Sequence, residues 1–405
     1  MIQHGTHHHE IADAYHIDRG LWERGRNAIV FIALVSWIAC AAGFFSAPQR
    51  FYQSYLTGFL FAVTIPLGAL FFVMIQFLTG SAWSVPMRRI AENLMLTISA
   101  GVVLFLPIYF GAGDLYKWMD RALIAKDAGL NADHKGDYLS INAFAIRAVI
   151  YFVLWAFLSW KLYKHSTMQD KTGALTHMHW ASRYSAPGLL ITVLTVSLAA
   201  FDWSMSLDPH WYSTMFGLYV FAGGGLAFMA VWTLICLAYR GKGILRNTIN
   251  IEHYHDLGKW MFALTVFWAY IAFSQYLLIW YANIPEETIW FRHRSEGTWQ
   301  FWSYLLVASH FIVPFFVLLP RASKRNLKVL TGVAIWIVVA HFIDLYWQVM
   351  PTFNVQGFNL HWLDIACVGA VGSIFALVFW FNVKRHALLP IGDPRFEQGL
   401  HFHNI

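Results

Sequence analysis

Three ionisable side chains interrupt two long apolar stretches in the C-terminal third of the sequence. His310 falls near the middle of the stretch 299–319, and His341 and Asp344 fall in the second half of the stretch 327–349. His341 and Asp344 are three residues apart, so a helix would place them on one face. Imidazole and carboxylate groups can exchange protons near neutral pH, and an ionisable side chain at membrane depth is a functional candidate by default.

Further polar side chains are expected toward the outer face, Ser274, Gln275 and Tyr276 at a similar depth, Asp364 at the start of the tenth span, and Asp202, Asp208 and His210 at the outer turn between the fifth and sixth spans. The candidate outer group consists of His310, His341, Asp344, Gln275, Ser274, Tyr276, Asp202, Asp208, His210 and Asp364. Four interpretations stay open for it. The group could be a hydrogen-bonded core, a pocket in which His and Asp bond the ring oxygens of a quinone, part of a proton path, or the site of a b-type haem held between His310 and His341.

A second candidate group is expected near the opposite membrane face. It consists of Glu92, His253, His255, Asp256 and Lys259, at the starts of the third and seventh apolar stretches. These residues could form an inward half-channel or the solvated starts of two helices. The N-terminal residues His4 and His7–His9 could bind a metal loosely, although a solvated tail or a fragment of a tag explains them better. No metal site is predicted.

Transmembrane helices must carry these side chains. The chain is 58% hydrophobic and 12% charged, about half the charge of a soluble domain. Its apolar residues form runs of about twenty, the length that crosses a hydrocarbon core as a helix. The alternation expected of a β-barrel is absent. We predict an all-α integral membrane protein with ten spans, at 26–45, 55–78, 90–110, 145–163, 186–201, 213–238, 259–281, 299–319, 327–349 and 363–383.

The distribution of Lys and Arg predicts the orientation. Most of the 28 basic residues fall on the side that holds the N-terminus when the spans alternate. The positive-inside rule therefore puts both termini in the cytoplasm. The net charge of +6 then faces anionic lipid head groups and requires no nucleic-acid partner.

The spans predict the following domains: a His-containing cytoplasmic tail at 1–25, the first span at 26–45, a first four-helix bundle at 51–201, a second at 213–349, the last span at 363–383 and a cytoplasmic tail at 384–405. Within the first bundle, the helical spacing of Leu115, Trp118, Met119 and Ala122 predicts an amphipathic segment on the outer surface at 111–141. The outer loop 282–298 is a second candidate for docking a partner.

The three cysteines limit the redox chemistry of the chain itself. Cys40, Cys236 and Cys367 each fall within a predicted span, and none belongs to a C-x-x-C pattern. An iron–sulfur cluster needs several thiolates, and covalent c-type haem needs C-x-x-C-H. The sequence therefore excludes both groups from this chain and argues against a disulfide framework.

Three strings resemble a known family of membrane subunits. They are DWSMSLDPHWYSTMFG at 202–217, AFSQYLLIWYANIPEET at 272–288 and HFIDLYW at 341–347, followed by Pro351. They look like the signatures of the ActF type of subunit in alternative complex III, which is NrfD-like and similar to the polysulfide-reductase membrane anchor. The resemblance extends over residues 20 to 390.

The resemblance implies a place in a respiratory complex of the bacterial inner membrane. Such complexes oxidise quinol, usually menaquinol, and reduce a periplasmic cytochrome c or a terminal oxidase. The implied partners are a second NrfD-like subunit, an iron–sulfur subunit, multihaem and monohaem cytochrome c subunits, and lipids. This chain would hold no redox cofactor, and menaquinol is the one cofactor that could contact it.

The resemblance also implies an architecture and a role. Spans two to five and six to nine would form two four-helix bundles, flanked by spans one and ten. The better-supported quinol site belongs to the sister subunit, so this chain is expected to serve assembly and either proton translocation or quinol interaction. A purely structural anchor, a b-type cytochrome and a secondary transporter stay open as alternatives, although the last lacks a clear inverted repeat.

Overall fold

The fold is seen in a computed structural model that describes residues 16–120, 122, 138–355 and 357–404. All regular secondary structure in these residues is helical. Ten helices are long and apolar enough to span a membrane, which confirms the predicted all-α multi-pass fold. We name them α1 to α10; their bounds are Arg19–Ser46, Pro48–Thr79, Val85–Phe110, Ile141–Thr172, Leu175–Leu207, Met215–Gly241, Ile251–Ala282, Trp299–Leu318, Leu327–Thr352 and Trp362–Arg385.

Most helices extend beyond the apolar runs that predicted them, because capping residues rather than hydropathy set their ends. The first helix begins inside the predicted 1–25 tail, where the Asp18 carboxylate accepts hydrogen bonds from the first backbone N–H groups. The fifth differs most from its predicted run of 186–201. Its first turns carry His177 and Arg183, which end the hydropathy signal although the backbone stays helical.

The described part of the 111–141 segment consists of two short turns, Ala112–Leu115 and Lys117–Met119. Trp118 is buried, stacks on Tyr116 and donates from its Nε1 to Ser206 Oγ at 3.3 Å. These residues therefore join the core of the first bundle. Residues 121 and 123–137, and the N-terminal histidines, lie outside the described residues.

The helices pack as two groups of four. In the first group α2 contacts α3, α3 contacts α4, α4 contacts α5 and α5 returns to α2; α6 to α9 follow the same order in the second group. The helix α10 packs between α1 and α2. We call the side with the start of α1 and the end of α10 the inner side, and the side of the 283–298 connection the outer side.

The two groups meet along α2 and α6, which are the most buried helices. Gly68 and Gly224 allow this close approach. A Cβ at Gly68 would lie 2.9 Å from the carbonyl oxygen of Gly224, and a Cβ at Gly224 would lie 2.8 Å from Cβ of Thr64. Small residues at such positions let membrane helices approach through their backbones.

A network of buried ion pairs closes the inner end of the first group. Arg88 contacts Glu92 and Asp393, each at 2.9 Å, and Arg89 contacts Asp170 at 2.6 Å. Burial tends to raise the pKa of the Asp393 carboxyl, but the neighbouring Arg88 and Arg395 outweigh it and lower this pKa to about 2. The charges are therefore compensated within the protein.

The segment after α10 supplies part of this network and crosses to the second group. The backbone N–H of Gly392 donates to Asp170 at 3.0 Å, and the carbonyl oxygen of Gly399 lies 3.0 Å from His253 Nε2. Asn404 accepts a hydrogen bond from Lys259 at 2.7 Å. The C-terminal segment thus connects the inner ends of α4 and α7.

We expect Gly68→Ala to destabilise the chain by about 1–3 kcal/mol, the usual cost of overpacking a dense interior. The added methyl group would press on the backbone of α6. Thermal unfolding of the purified protein in mild detergent measures the effect. Gly372→Ala is the matched control, because a Cβ at Gly372 meets no atom within 4 Å. Equal melting temperatures for the two variants would contradict the role of this contact.

Candidate functional site

Three of the predicted residues lie together among helices α6 to α9. One ligand-type atom each of His310, His341 and Asp344 lies within 4.8 Å of the other two. Each residue is only 1% exposed. His310 Nε2 is 3.9 Å from Asp344 Oδ2. The structure therefore has a buried carboxylate–imidazole cluster in the second helix group, which we call the Asp344 cluster.

Asp344 accepts hydrogen bonds from three different helices. Tyr219 of α6 and Gln348 of α9 donate to its Oδ1, the latter at 3.1 Å, and the Trp268 indole of α7 donates to its Oδ2 at 3.1 Å. Removing a carboxyl group from water is costly unless such donors replace the water. These donors fix the position of the carboxyl group and offset the cost of removing it from water.

His341 connects the cluster to the first helix group. Its Nε2 lies 3.0 Å from the Thr64 hydroxyl of α2. Its Nδ1 faces Gly223, where a Cβ would lie 3.3 Å from both this nitrogen and Asp344 Oδ2. The junction between the two helix groups therefore runs directly along the cluster.

His310 occupies a widened turn of α8. Residues Ala308–Ile312 form a π-helical turn, two residues before Pro314. Proline has no N–H and crowds the carbonyl group four residues earlier, which belongs to His310, so the helix widens there. Single π-turns of this kind often occur at functional sites.

The His310 ring has an aromatic neighbour and no hydrogen-bond partner among the described residues. It stacks on Trp268 with ring centroids 4.0 Å apart. Within the described part of the chain, neither His310 ring nitrogen nor Nδ1 of His341 makes a hydrogen bond. Most buried polar atoms have a hydrogen-bond partner, and an exception calls for an explanation such as a chemical role.

His310, His341 and Asp344 are residue types that can hold a metal ion, but their spacing in the structure is wider than a bound ion requires. Tetrahedral bonds of about 2.0–2.1 Å need ligand atoms about 3.4 Å apart, whereas His310 and Asp344 are separated by 3.9 Å and Asp344 is already held by three donors. For a b-type haem, both histidines would need a free axial nitrogen and a flat slot between them. Thr64 and Gly223 border His341, and Trp268 covers His310.

A cavity of about 730 Å³ lies beside the cluster on the outer side, between α7 and α8. Tyr219 and Trp268 line it and also bond Asp344. The three residues of the cluster are not among its lining residues. The cavity is therefore separated from the Asp344 cluster by a wall of two aromatic side chains.

The three predicted residues of α7 behave differently from one another. Gln275 is buried and lines the cavity, and its Oε1 makes no hydrogen bond to the described residues. The Ser274 hydroxyl donates to the backbone of its own helix at Tyr270. Tyr276 is 44% exposed and packs edge-on against Phe291 at the cavity. None of the three contacts Asp344 through a hydrogen bond that the structure shows.

The predicted outer carboxylates belong to other sites. Asp202 accepts two hydrogen bonds from Arg147, at 2.8 and 2.9 Å, and one from Tyr151. Asp364 forms an ion pair of 2.6 Å with Arg50 and accepts a hydrogen bond from Ser54. Both carboxylates are therefore paired with an arginine, and the structure shows no hydrogen bond between them and the Asp344 cluster. Asp208 is half-buried and His210 is exposed, both in the connection between α5 and α6.

The predicted inner residues divide between the two helix groups. Glu92 belongs to the Arg88–Arg89 network of the first group. In the second group His253 bonds Asn250 and the Gly399 carbonyl, and Asp256 pairs with Lys259. Of this set, only His255 keeps a buried ring nitrogen, Nδ1, without a hydrogen bond in the described chain. Most of these residues thus cap or brace helix ends.

Sequence reasoning missed the residues that complete the cluster: Thr64, Tyr219, Gly223, Trp268 and Gln348. Only one carried a local signal, since Gln348 lies four residues after Asp344 and so shares its helix face. Pro314 was a second usable signal, because it marks the turn that holds His310. The others come from helices distant in sequence.

No family model matches the chain, and no curated protein matches it either.

We expect Tyr219→Phe to lower the stability of the folded protein by about 1–3 kcal/mol, because it removes a donor from the buried Asp344 carboxyl. Thermal unfolding in mild detergent would show it. Tyr276→Phe is the control, since Tyr276 is 44% exposed and the structure shows no hydrogen bond from it to Asp344. If both variants unfold at the same temperature, the Tyr219 hydrogen bond contributes nothing to the stability of the folded protein.

Proposed function

We propose that this chain is a membrane subunit of a quinol-oxidising respiratory complex of the bacterial inner membrane, with both termini in the cytoplasm. Partner subunits with iron–sulfur clusters and c-type haems would carry the electrons. The chain would contribute to assembly and would translocate protons through the Asp344 cluster. The strings at 202–217, 272–288 and 341–347 support the family, and the cluster supports the role.

One observation carries the proton role. A carboxyl group and two imidazoles lie together in the interior of a spanning helix group, and three of their four ring nitrogens have no hydrogen-bond partner in the described chain. Most buried polar atoms in a structural core have a hydrogen-bond partner, so three unbonded nitrogens beside one carboxyl group favour a chemical role. Groups that must accept and release a proton need a free position for it.

The proton step uses groups that the structure places next to each other. Asp344 gains a proton on one carboxylate oxygen and later releases it to a neighbouring imidazole nitrogen, which becomes positively charged. At 3.9 Å, Asp344 and His310 are too far apart for a direct hydrogen bond. The transfer therefore requires a small movement of the His310 ring or a bridging water.

The arrangement favours a relay over a quinone pocket at the cluster. A quinone ring would need direct access to His310, His341 and Asp344, whereas Tyr219 and Trp268 stand between these residues and the outer cavity. The quinol site of the complex is accordingly expected on another subunit.

We expect Asp344→Asn to lower the ratio of protons translocated per electron while the complex still assembles. The amide keeps the size of the carboxyl group but cannot titrate. The ratio is measured in vesicles containing the purified complex, with quinol as the donor and cytochrome c as the acceptor. Ser274→Ala is the control, because its hydroxyl bonds only its own helix backbone. An unchanged ratio in assembled Asp344→Asn complex would argue against the relay.

The complex itself is tested by purifying the chain from its native membrane in mild detergent. Staining for covalent haem and a quinol-dependent cytochrome c assay should reveal haem-bearing partners and activity. After the subunits are separated, this chain should retain no haem. A chain that purifies alone and inactive would disprove the assignment, and retained haem would favour a b-type cytochrome.

A further inference from the structure

The outer cavity has the form of a site for a membrane-borne molecule. The walls of this cavity are mainly aromatic and include Trp268, Trp290 and Trp347. Phe273 and Tyr304 also line it and are more than half exposed, at 60% and 68%. These two side chains lie on α7 and α8, two of the spanning helices. The cavity therefore opens sideways toward lipid, between two helices.

Arg294 places a buried positive charge at this cavity. It is 1% exposed, and its three guanidinium nitrogens donate to the backbone carbonyl groups of Trp347, Trp290 and Gln348 at 3.1, 2.8 and 2.6 Å. A guanidinium has five N–H groups, so two remain after these three bonds. The cation also lies 3.5 Å from the centroid of the Trp290 ring.

The charge of Arg294 has no counter-charge within ion-pair distance among the described residues. None of the described carboxylates lies within 4.0 Å of its guanidinium, in contrast to Arg88, Arg89 and Arg147. Burial lowers the pKa of Arg294 to about 9, so the group remains charged at neutral pH. Within the described chain, the Asp208 charge raises this pKa but lies beyond ion-pair distance, so an anion in direct contact with the guanidinium would compensate the buried charge more fully.

Gln275 is a second polar residue at the same cavity. It is 4% exposed, and its Oε1 has no hydrogen-bond partner among the described residues. Ligand pockets combine apolar walls with a few such polar groups, which fix the orientation of the ligand.

We propose that this cavity binds an anionic membrane amphiphile. Its acyl chain packs among the aromatic walls, and a carboxylate or phosphate oxygen of its head group accepts hydrogen bonds from Arg294. An anion satisfies both the spare donors and the charge of Arg294, whereas a neutral head group satisfies only the donors. The Asp344 cluster takes no part, so this site stands independently of the proposed function.

The test uses the chain purified from its native membrane in a neutral detergent, together with its natural partners. Bound lipids are extracted and quantified by mass spectrometry. Ala272→Phe adds a ring at the cavity without altering Arg294, and Ala42→Phe adds the same ring at an exposed position of α1. We expect a stoichiometric anionic amphiphile in the wild type and in Ala42→Phe, and at least about tenfold less in Ala272→Phe, a loss of roughly 1.4 kcal/mol in affinity.

The source of the anion is identified by titrating the delipidated protein, in phosphatidylcholine nanodiscs, with oleate or with phosphatidylglycerol. Tight binding of oleate identifies a carboxylate head group, and tight binding of phosphatidylglycerol identifies a phosphate; either supports the site. Arg294→Gln should weaken that binding while Gln275→Leu retains the preference for anions. Equal retention by Ala272→Phe and the wild type, or retention of neutral amphiphiles alone, would overturn the proposal.

Discussion

The close approach of α2 and α6 is the constraint on which the rest of this structure depends. Lipid offers no hydrophobic drive for helices to associate, so the contact is stabilised by dense packing between backbones. Gly68 and Gly224 remove the side chains that would hold the helices apart. The same approach brings Thr64 of the first helix group to His341 of the second. The junction of the two groups and one wall of the Asp344 cluster are therefore formed by a single contact.

Charged groups in this chain follow two patterns. Asp202, Asp364 and the Arg88–Arg89 network each have partners of opposite charge at hydrogen-bond distance, as buried ions in a structural role require. The Asp344 cluster has donors to its carboxyl group but leaves imidazole nitrogens unpaired, and Arg294 has no paired carboxylate in the described chain. The lack of an opposite charge at hydrogen-bond distance distinguishes the two candidate sites, because guanidinium nitrogens of Arg88 and Arg89 also lack hydrogen-bond partners among the described residues.

Hydropathy predicted the number of spanning helices, because each helix must carry about twenty apolar residues regardless of its neighbours. It also placed His310, His341 and Asp344 at a common depth. Hydropathy does not show which way a side chain points around its helix axis. It therefore groups Asp202 and Asp364 with the cluster, although Arg147 and Arg50 hold these two carboxylates elsewhere. Tyr219 and Trp268 reach Asp344 across helices, and such contacts depend on packing that no local pattern records.

The position of Asp393 has a consequence for how the protein is made. A chain is synthesised from its N-terminus, and Arg88 precedes Asp393 by 305 residues. Throughout the insertion of the later helices, Arg88 therefore lacks one of its two carboxylate partners. Gly392 and Gly399 make their contacts with α4 and α7 at the same late stage. The connection that this segment makes between the inner ends of α4 and α7 can therefore form only after α10 has been synthesised, and until then Arg88 has Glu92 as its carboxylate partner.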